Sequence, residues 1–373
     1  MPTLARTDTS LVGRWWWTID KWVLSATGML IFLGGIFILS ASPAVAERID
    51  LDAFHFARRQ VLFLLFSVIC IIFISFLEHK ELRRFTLLLM AMSLFLMLLT
   101  ITFGAETKGA KRWLTFMGFS IQASEFVKPA FAVLAAWLIS SQKFDNKTPG
   151  YLIATILYLI IVGMFLAQPD VGMTLVISAI WGVQIFIAGL SLTWVMGVGI
   201  LFFIISIGSY LSFDHVKIRV DRFLDPHAIE GFQVGQALKA FRNGGWLGRG
   251  PGEGQVKENL PDAHSDFILA VIGEEFGLLA CTLVVCLFLF IILRGFFKVI
   301  RNDNLFALLA VSGLLTQFAI QAIINMASTL NLMPPKGMTL PFVSYGGSST
   351  LAMGITIGIV LALTRENSDK MRW

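Results

Sequence analysis

A chain of 373 residues that is 56% hydrophobic and only 14% charged has too little charge to clothe a soluble domain of this size. Its net charge of +5 is ordinary for a membrane protein and gives no footprint for nucleic acid. The five histidines are scattered and the three cysteines lie in apolar runs without ligand spacing, which leaves no His- or Cys-built metal centre in the pattern.

Apolar runs recur near 22–40, 60–77, 85–103, 121–140, 150–167, 171–189, 192–213, 266–293, 304–330 and 346–364. About 20 such residues cross a bilayer as a helix. The runs are continuous rather than alternating, so they predict an all-α polytopic membrane bundle of about ten transmembrane helices. The chain then divides into a tail at 1–21, a membrane domain at 22–364 with a large loop at 214–265, and a second tail at 365–373. Arg14, Lys21, an apolar run and Ala44-Val45-Ala46 imitate a cleavable leader, but the run is too long for one and reads as the first span. Trp15, Trp16, Trp17 and Trp22 suit an interfacial aromatic belt. With the long loop set aside, Lys80, Arg83, Arg84, Lys143, Arg294, Lys298 and Arg301 make short basic loops on the side of the N-terminus, the cytoplasmic signature.

An ionisable residue at membrane depth costs several kcal/mol unless paired or wet, so the surviving polar residues are the informative ones. Glu125 and Lys128 follow Lys111-Arg112 and stand at i, i+3, where they share a helix face. They read either as an intrahelical anchor or as the lining of a cavity. In Gln168-Pro169-Asp170, Pro169 opens a helix and Asp170 falls in its first turn. The loop at 214–265 carries Lys217, Arg219, Arg222, Lys239, Arg242 and Arg249 among glycines whose exposed amides suit a phosphate or diphosphate. No GxxxxGK[ST] motif accompanies them, so nucleotide hydrolysis has no support. From Glu258 to Phe267 the chain enters the eighth span, and Pro261 as first helical residue would place Asp262 and Asp266 on one face. Glu274 and Glu275 follow, about 12 Å along the axis and inside the span. Lastly, Pro334-Pro335-Lys336-Gly337 through Ser349 forces irregular backbone at the membrane face, tolerated only where it is buried or lines a cavity.

Two of these runs, Pro261-Asp262-Ala263-His264-Ser265-Asp266-Phe267 and Pro341-Phe342-Val343-Ser344-Tyr345-Gly346-Gly347-Ser348-Ser349, resemble the SEDS family of shape, elongation, division and sporulation proteins. The resemblance covers roughly 20–365. It implies ten transmembrane helices with both termini cytoplasmic, a bacterial inner membrane, and a peptidoglycan glycosyltransferase working with a class B penicillin-binding protein and other division proteins. By position it places the family's essential acid on Asp266 and a second acidic position on Glu258. Lys336-Gly337-Met338-Thr339 resembles the division branch rather than the elongation branch, which points to the septum. Ser265 stands where threonine is commoner and Asp262 where glutamate is commoner, both conserving the chemistry. Arg112, Glu125, Lys128, Arg219, His264, Ser265, Lys336 and Ser344 join Glu258 as the implied substrate-binding set.

The implied substrate is lipid II, a disaccharide-pentapeptide on undecaprenyl diphosphate. Its polymerisation needs a base for the acceptor hydroxyl, positive charge on the departing diphosphate and an apolar groove for the lipid. Asp266 is the expected base, with the basic loop and Lys336 on the diphosphate. An aspartate with an ordinary pKa of about 3.9 is a weak base, which desolvation by bound substrate would improve. Alternatively, Asp266 and Glu258 hold Mg²⁺ or Mn²⁺, hard cations that prefer carboxylates. A lipid II flippase, an elongation-type polymerase and a non-catalytic scaffold are the rival readings.

Overall fold

The computed structural model describes residues 10–107, 110–116, 119–144, 149–189, 229–301, 303–334 and 336–365, with isolated positions from Thr193 to Asp221. A short helix α1 (Leu11–Thr18) precedes three long ones, α2 (Lys21–Arg48), α3 (His55–Ser75) and α4 (His79–Phe103). Strands β1 (Ala105–Thr107), β2 (Ala110–Phe116) and β3 (Phe119–Ile121) lead into α5 (Ala123–Phe144), α6 (Gly150–Ala167) and α7 (Val171–Ile187). Beyond lie α8 (Ile229–Gly244), a 3-10 turn at Val256–Asn259, α9 (Ile268–Glu275), α10 (Gly277–Ile300), α11 (Leu305–Thr329) and α12 (Gly347–Leu363).

Among the described residues seven helices are long and apolar enough to cross a bilayer, and α7 and α12 are shorter apolar ones. Together they account for nine of the ten expected spans. The remaining one, 192–213, falls largely outside the described residues, and the positions described within it are helical. The chain is therefore a polytopic helical membrane protein.

Burial sorts the helices. The most apolar windows of α5 and α11 are 83% and 72% buried, against 22–39% for the other five long spans, so these two are the central posts. Peripheral helices turn residues such as Phe66, Phe73, Leu88 and Phe95 outward, as lipid requires. Apolar residues of α4–α7 pack against one face of α11 and α12, and those of α2, α3, α9 and α10 against the other. Within the first set Gln184 of α7 donates to the carbonyls of Ala132 (2.6 Å) and Leu309 (3.0 Å), clamping α5 to α11. Gly313 leaves the room this amide needs.

The first and last described segments come to one face. Trp15 stacks on Phe76 and donates to Ser75 Oγ (2.8 Å), and Arg365 donates to the carbonyls of Ser75 and Phe76. Asp20 caps α2 there and receives Arg294 at 2.9 Å and Lys298 at 3.4 Å.

Three features depart from the sequence-based expectation, the first being helix α8 within the expected loop at 214–265. The connection from α4 to α5 is a three-stranded antiparallel sheet in the order β1-β2-β3, with Thr107 opposite Ala110 and Phe116 opposite Phe119. The expected helix from Pro261 onward is instead a run of turns. Asp262 is left-handed (φ +54°), its carbonyl accepts from Ser265, Asp266 and Phe267, and regular helix starts only at Ile268. That helix then stops at Glu275, and α10 begins at Gly277 with φ +77°. The expected eighth span thus breaks in two, because the carbonyls of Gly245 and Trp246 accept from Leu278 and Leu279 and the backbone of 246–248 lies against Gly277.

Gly245 (φ +57°) has open space where a side chain would go, whereas Gly277 has backbone there. Gly245→Ala should cost about 1–2 kcal/mol, the left-handed strain alone. Gly277→Ala should cost clearly more, through the added clash. Thermal unfolding of the two purified variants in one detergent checks the order.

Candidate functional site

Most of the described polar residues singled out by sequence gather at the end of the bundle opposite Trp15 and Arg365. At its centre the turns of 261–267 lie against the irregular segment 336–346. Asn325 of α11 joins them, donating to the carbonyls of Asp266 (3.0 Å) and Met338 (2.7 Å). A second tie is Tyr345 N–H to the carbonyl of His264 (2.9 Å). Gly337 is left-handed (φ +66°), and a Cβ built there would stand 3.7 Å from Asp266 Oδ2. The neighbouring Lys336 has its Cβ 3.7 Å from where one on Gly172 would be, beside Asp170 Oδ1. Asp266, Lys336 and Asp170 are therefore brought close to one another from three separate stretches.

Asp170 caps α7, accepting from Met173 N–H (3.1 Å), so it stands one residue before the helix rather than in its first turn as expected. Arg112 Nε reaches it from β2 at 3.6 Å while donating to the carbonyl of Gln168 (3.1 Å), and its Nη2 donates to that of Pro169. Arg112 thus braces the sheet onto the α6–α7 turn.

Glu125 and Lys128 are the expected pair, at 2.8 Å, but both are buried and enclosed between helices. Lys128 also donates to Gln321 Oε1 (2.8 Å), Gln321 donates to Ser349 (2.9 Å), and Thr339 donates to Ser349 (2.7 Å). Of their two readings the structural one fits: the pair supports the site from beneath. Ser344 is likewise buried, its Oγ accepting from Leu340 N–H (2.8 Å) and its carbonyl from Gln60 (3.0 Å), so it shapes the segment behind Lys336. Ser265 is half-buried and its hydroxyl bonds back to the Asp262 carbonyl.

His264 packs with Phe56 (4.3 Å between ring centres) and Tyr345 (5.3 Å). Burial pushes its imidazole down to about 4; Asp262 opposes the shift and Arg48 adds to it. His264 is therefore neutral near pH 7 and meets a ligand as an aromatic or hydrogen-bonding group, not as a cation.

The loop glycines are used internally. Glu274 accepts from Val256 N–H (3.0 Å) and Asn243 (3.2 Å). Glu275 accepts from Gly252 N–H (3.0 Å) and Ser40, and pairs with Lys257 at 2.5 Å. These carboxylates lie at a helix end outside the α10 span and anchor the loop, which corrects the reading of them as intramembrane acids. The amides of Gly252 and Val256 are correspondingly committed to the protein's own anions. Glu258 is exposed on its turn, and Arg219 lies outside the described residues. Among the described residues no group of three or more His, Cys, Asp or Glu side chains gathers to cage a metal.

Asn325, Gln321 and Gln60 were missed by sequence reasoning. The available signal was amides inside apolar runs, two of them at i, i+4 on α11.

A family described as cell cycle protein, grouping FtsW, RodA and SpoVE, matches residues 21–369. The chain belongs to this family. Among its relatives is a Caulobacter vibrioides protein, 43% identical over 97% of this chain and 93% of its own length, named "Probable peptidoglycan glycosyltransferase FtsW". A Legionella pneumophila protein of the same name is 31% identical over 95% of this chain and 92% of its own. This chain therefore stands with the FtsW members. The fold is that of a chain from a peptidoglycan synthase complex that coordinates polymerization and crosslinking (TM-score 0.78, 24% identity, 95% of this chain and 99% of that one). It is also that of Thermus thermophilus RodA (TM-score 0.68, 23% identity, 94% and 97%).

Two outcomes test the site's construction. Glu125→Gln or Lys128→Met alone should cost about 3–5 kcal/mol by stranding a buried charge, and the double variant should recover much of it. Calorimetric or chemical unfolding of all three in detergent reads the cycle. For His264 the unfolded ring binds a proton below about 6.5 and the folded one only below about 4. Its contribution is therefore complete above about pH 6.5 and lost as pH falls toward 4, up to about 3 kcal/mol. His264→Phe should flatten that part of the stability–pH curve relative to wild type.

Proposed function

We propose that this protein is a division-type peptidoglycan glycosyltransferase that polymerises lipid II, with Asp266 as general base. The observation that carries the reading is a convergence: a carboxylate and a lysine from separate segments are brought together, with one asparagine tying the two segments. In the reaction the acceptor's GlcNAc 4-hydroxyl attacks the donor's anomeric carbon and Asp266 takes its proton. The bond from that carbon to the diphosphate oxygen breaks, and the electron pair leaves with the lipid diphosphate. Lys336 offers a strongly hydrated point charge to the developing negative charge. Substrate closing over the site would desolvate Asp266 and strengthen it as a base. The lipid has apolar outer faces of the bundle to run along.

A divalent cation fits in one way. Mg²⁺ is commonly held by one or two carboxylates plus substrate phosphates rather than by a protein cage. Asp266 would hold it together with the diphosphate, and it would supply charge neutralisation to the leaving group. Glu258, exposed on its turn, would join only through water.

With the basic short loops on the side of the termini, both termini are cytoplasmic and the site faces outward, where glycan strands form. The complex that shares the fold coordinates polymerization and crosslinking, which supports a crosslinking partner; the septal place, the class B penicillin-binding protein and the other division proteins are what the family resemblance implies.

Asp266→Asn should abolish glycan synthesis while the protein still folds; near-wild-type polymerisation of lipid II by the purified variant sinks the assignment. Lys336→Met should cost about 2–4 kcal/mol in the transition state, a rate loss of tens- to about a thousand-fold. Lys336→Arg should recover only part. Single-turnover polymerisation at saturating lipid II measures both, and a loss below about threefold removes Lys336 from the site.

A further inference from the structure

At the face that holds Trp15 and Arg365, a cavity of about 450 Å³ opens between the first turn of α4, the last turns of α5 and the start of α11. His79, Arg83, Trp137, Ser140, Ser141 and Phe306 line it, with Asn304 at its rim. Nothing in the proposed reaction uses it. Arg83 sits within cation–π range of two rings at once, 5.7 Å from Trp137 and 5.8 Å from Phe306. Its Nε donates to the His79 carbonyl (3.2 Å), which fixes the plane of the guanidinium. Among the described residues no carboxylate pairs with it. His79 Nε2 is buried and lacks a partner there as well. An arginine fixed in plane, with its terminal nitrogens uncommitted, is suited to a bidentate anion, above all a phosphate. Two helix N-termini, of α4 and α11, add positive potential, although Glu78 and Glu81 already take part of the α4 end. Lys80 and Arg84 are exposed beside the mouth. The apolar residues around this ring of charge face the bilayer.

We propose that this cavity binds a phosphate-bearing anionic head group, supplied by an anionic phospholipid of the leaflet on the side of the termini. The cavity is larger than a phosphate ion alone needs, and its mouth lies where helix ends leave the hydrocarbon. Both fit a head group entering from the bilayer. The ligand would hold together the near ends of α4, α5 and α11, whose far ends reach the sheet, Glu125 and Asn325.

The test is native mass spectrometry of the full-length protein, delipidated in detergent and titrated with phosphatidylglycerol, phosphatidylcholine or soluble glycerol 3-phosphate. Phosphatidylglycerol should bind at least about tenfold more tightly than phosphatidylcholine, as expected for a charge-assisted contact. Arg83→Met should erase that preference and Arg83→Lys restore part of it. Ser141→Phe fills the cavity without touching its charges and should also lower phosphatidylglycerol binding about tenfold, which keeps the test decisive if Arg83→Met fails to fold. Equal binding of the two lipids, or phosphatidylglycerol binding within about twofold of wild type in both Arg83→Met and Ser141→Phe, overturns the proposal. Glycerol 3-phosphate binding as tightly as the lipid would overturn the lipid source and leave a soluble phosphate ester as the ligand.

Discussion

A lysine ammonium with no solvent exposure lies near the middle of the wall beneath the site, and the surrounding structure has to answer it. Lys128 takes Glu125 from its own helix and Gln321 from α11. Gln321 passes the connection to Ser349 at the start of α12, and Ser349 to Thr339 in the irregular segment. In hydrocarbon such a charge is tolerable only when paired and hydrogen-bonded, because removing either partner leaves an uncompensated buried ion. The network therefore fixes how α5, α11 and α12 stand relative to one another, and so where the 336–346 segment can lie.

The site is built on that frame by backbone as much as by side chains. Asn325 spends its two donors on the carbonyls of Asp266 and Met338, tying two segments that have no secondary structure of their own. Gly337 adopts a left-handed conformation beside the Asp266 carboxylate. Gly34 of α2 lets the Phe342 carbonyl come close where any side chain would collide. Irregular backbone at this depth survives because its polar groups are answered by Gln60, Ser344 and Asn325 rather than by water. On the outer side, Glu274 and Glu275 do the same for the glycine-rich turns, presenting carboxylates to amides that would otherwise need solvent.

The two ends of the bundle thus carry different chemistry. One end gathers acids and a lysine. The other gathers basic side chains, the first and last described residues and the Arg83 cavity. A glycosyl transfer that expels a lipid diphosphate needs the first arrangement, and the basic short loops of the second fit the cytoplasmic side of a membrane.

The sequence alone determined the number and class of the spans, because the penalty for unsatisfied backbone in lipid leaves long apolar runs few options but helix. It also drew attention to residues that the fold brings together: Asp266 stands in one of the two runs that carry the family resemblance, Lys336 lies shortly before the other, and the i, i+3 spacing of Glu125 and Lys128 announced their pairing. Other features were decided only by tertiary contact. The break at Gly277 depends on the 246–248 turn packing against it, and the turns of 261–267 are held from outside by Asn325 and the Tyr345 amide on the carbonyls of Asp266 and His264. The small sheet was not legible, since neither Lys108-Gly109 nor Met117-Gly118 is a dipeptide that marks a two-residue hairpin. Glu274 and Glu275 read as intramembrane acids because hydropathy counts neighbours along the chain, whereas their partners, Lys257 and the amides of Gly252 and Val256, arrive from a loop folded back across α9. The same reason hid Asn325: an amide in an apolar run shows that something polar must meet it, and only the folded chain shows that the partners are the backbone of Asp266 and Met338.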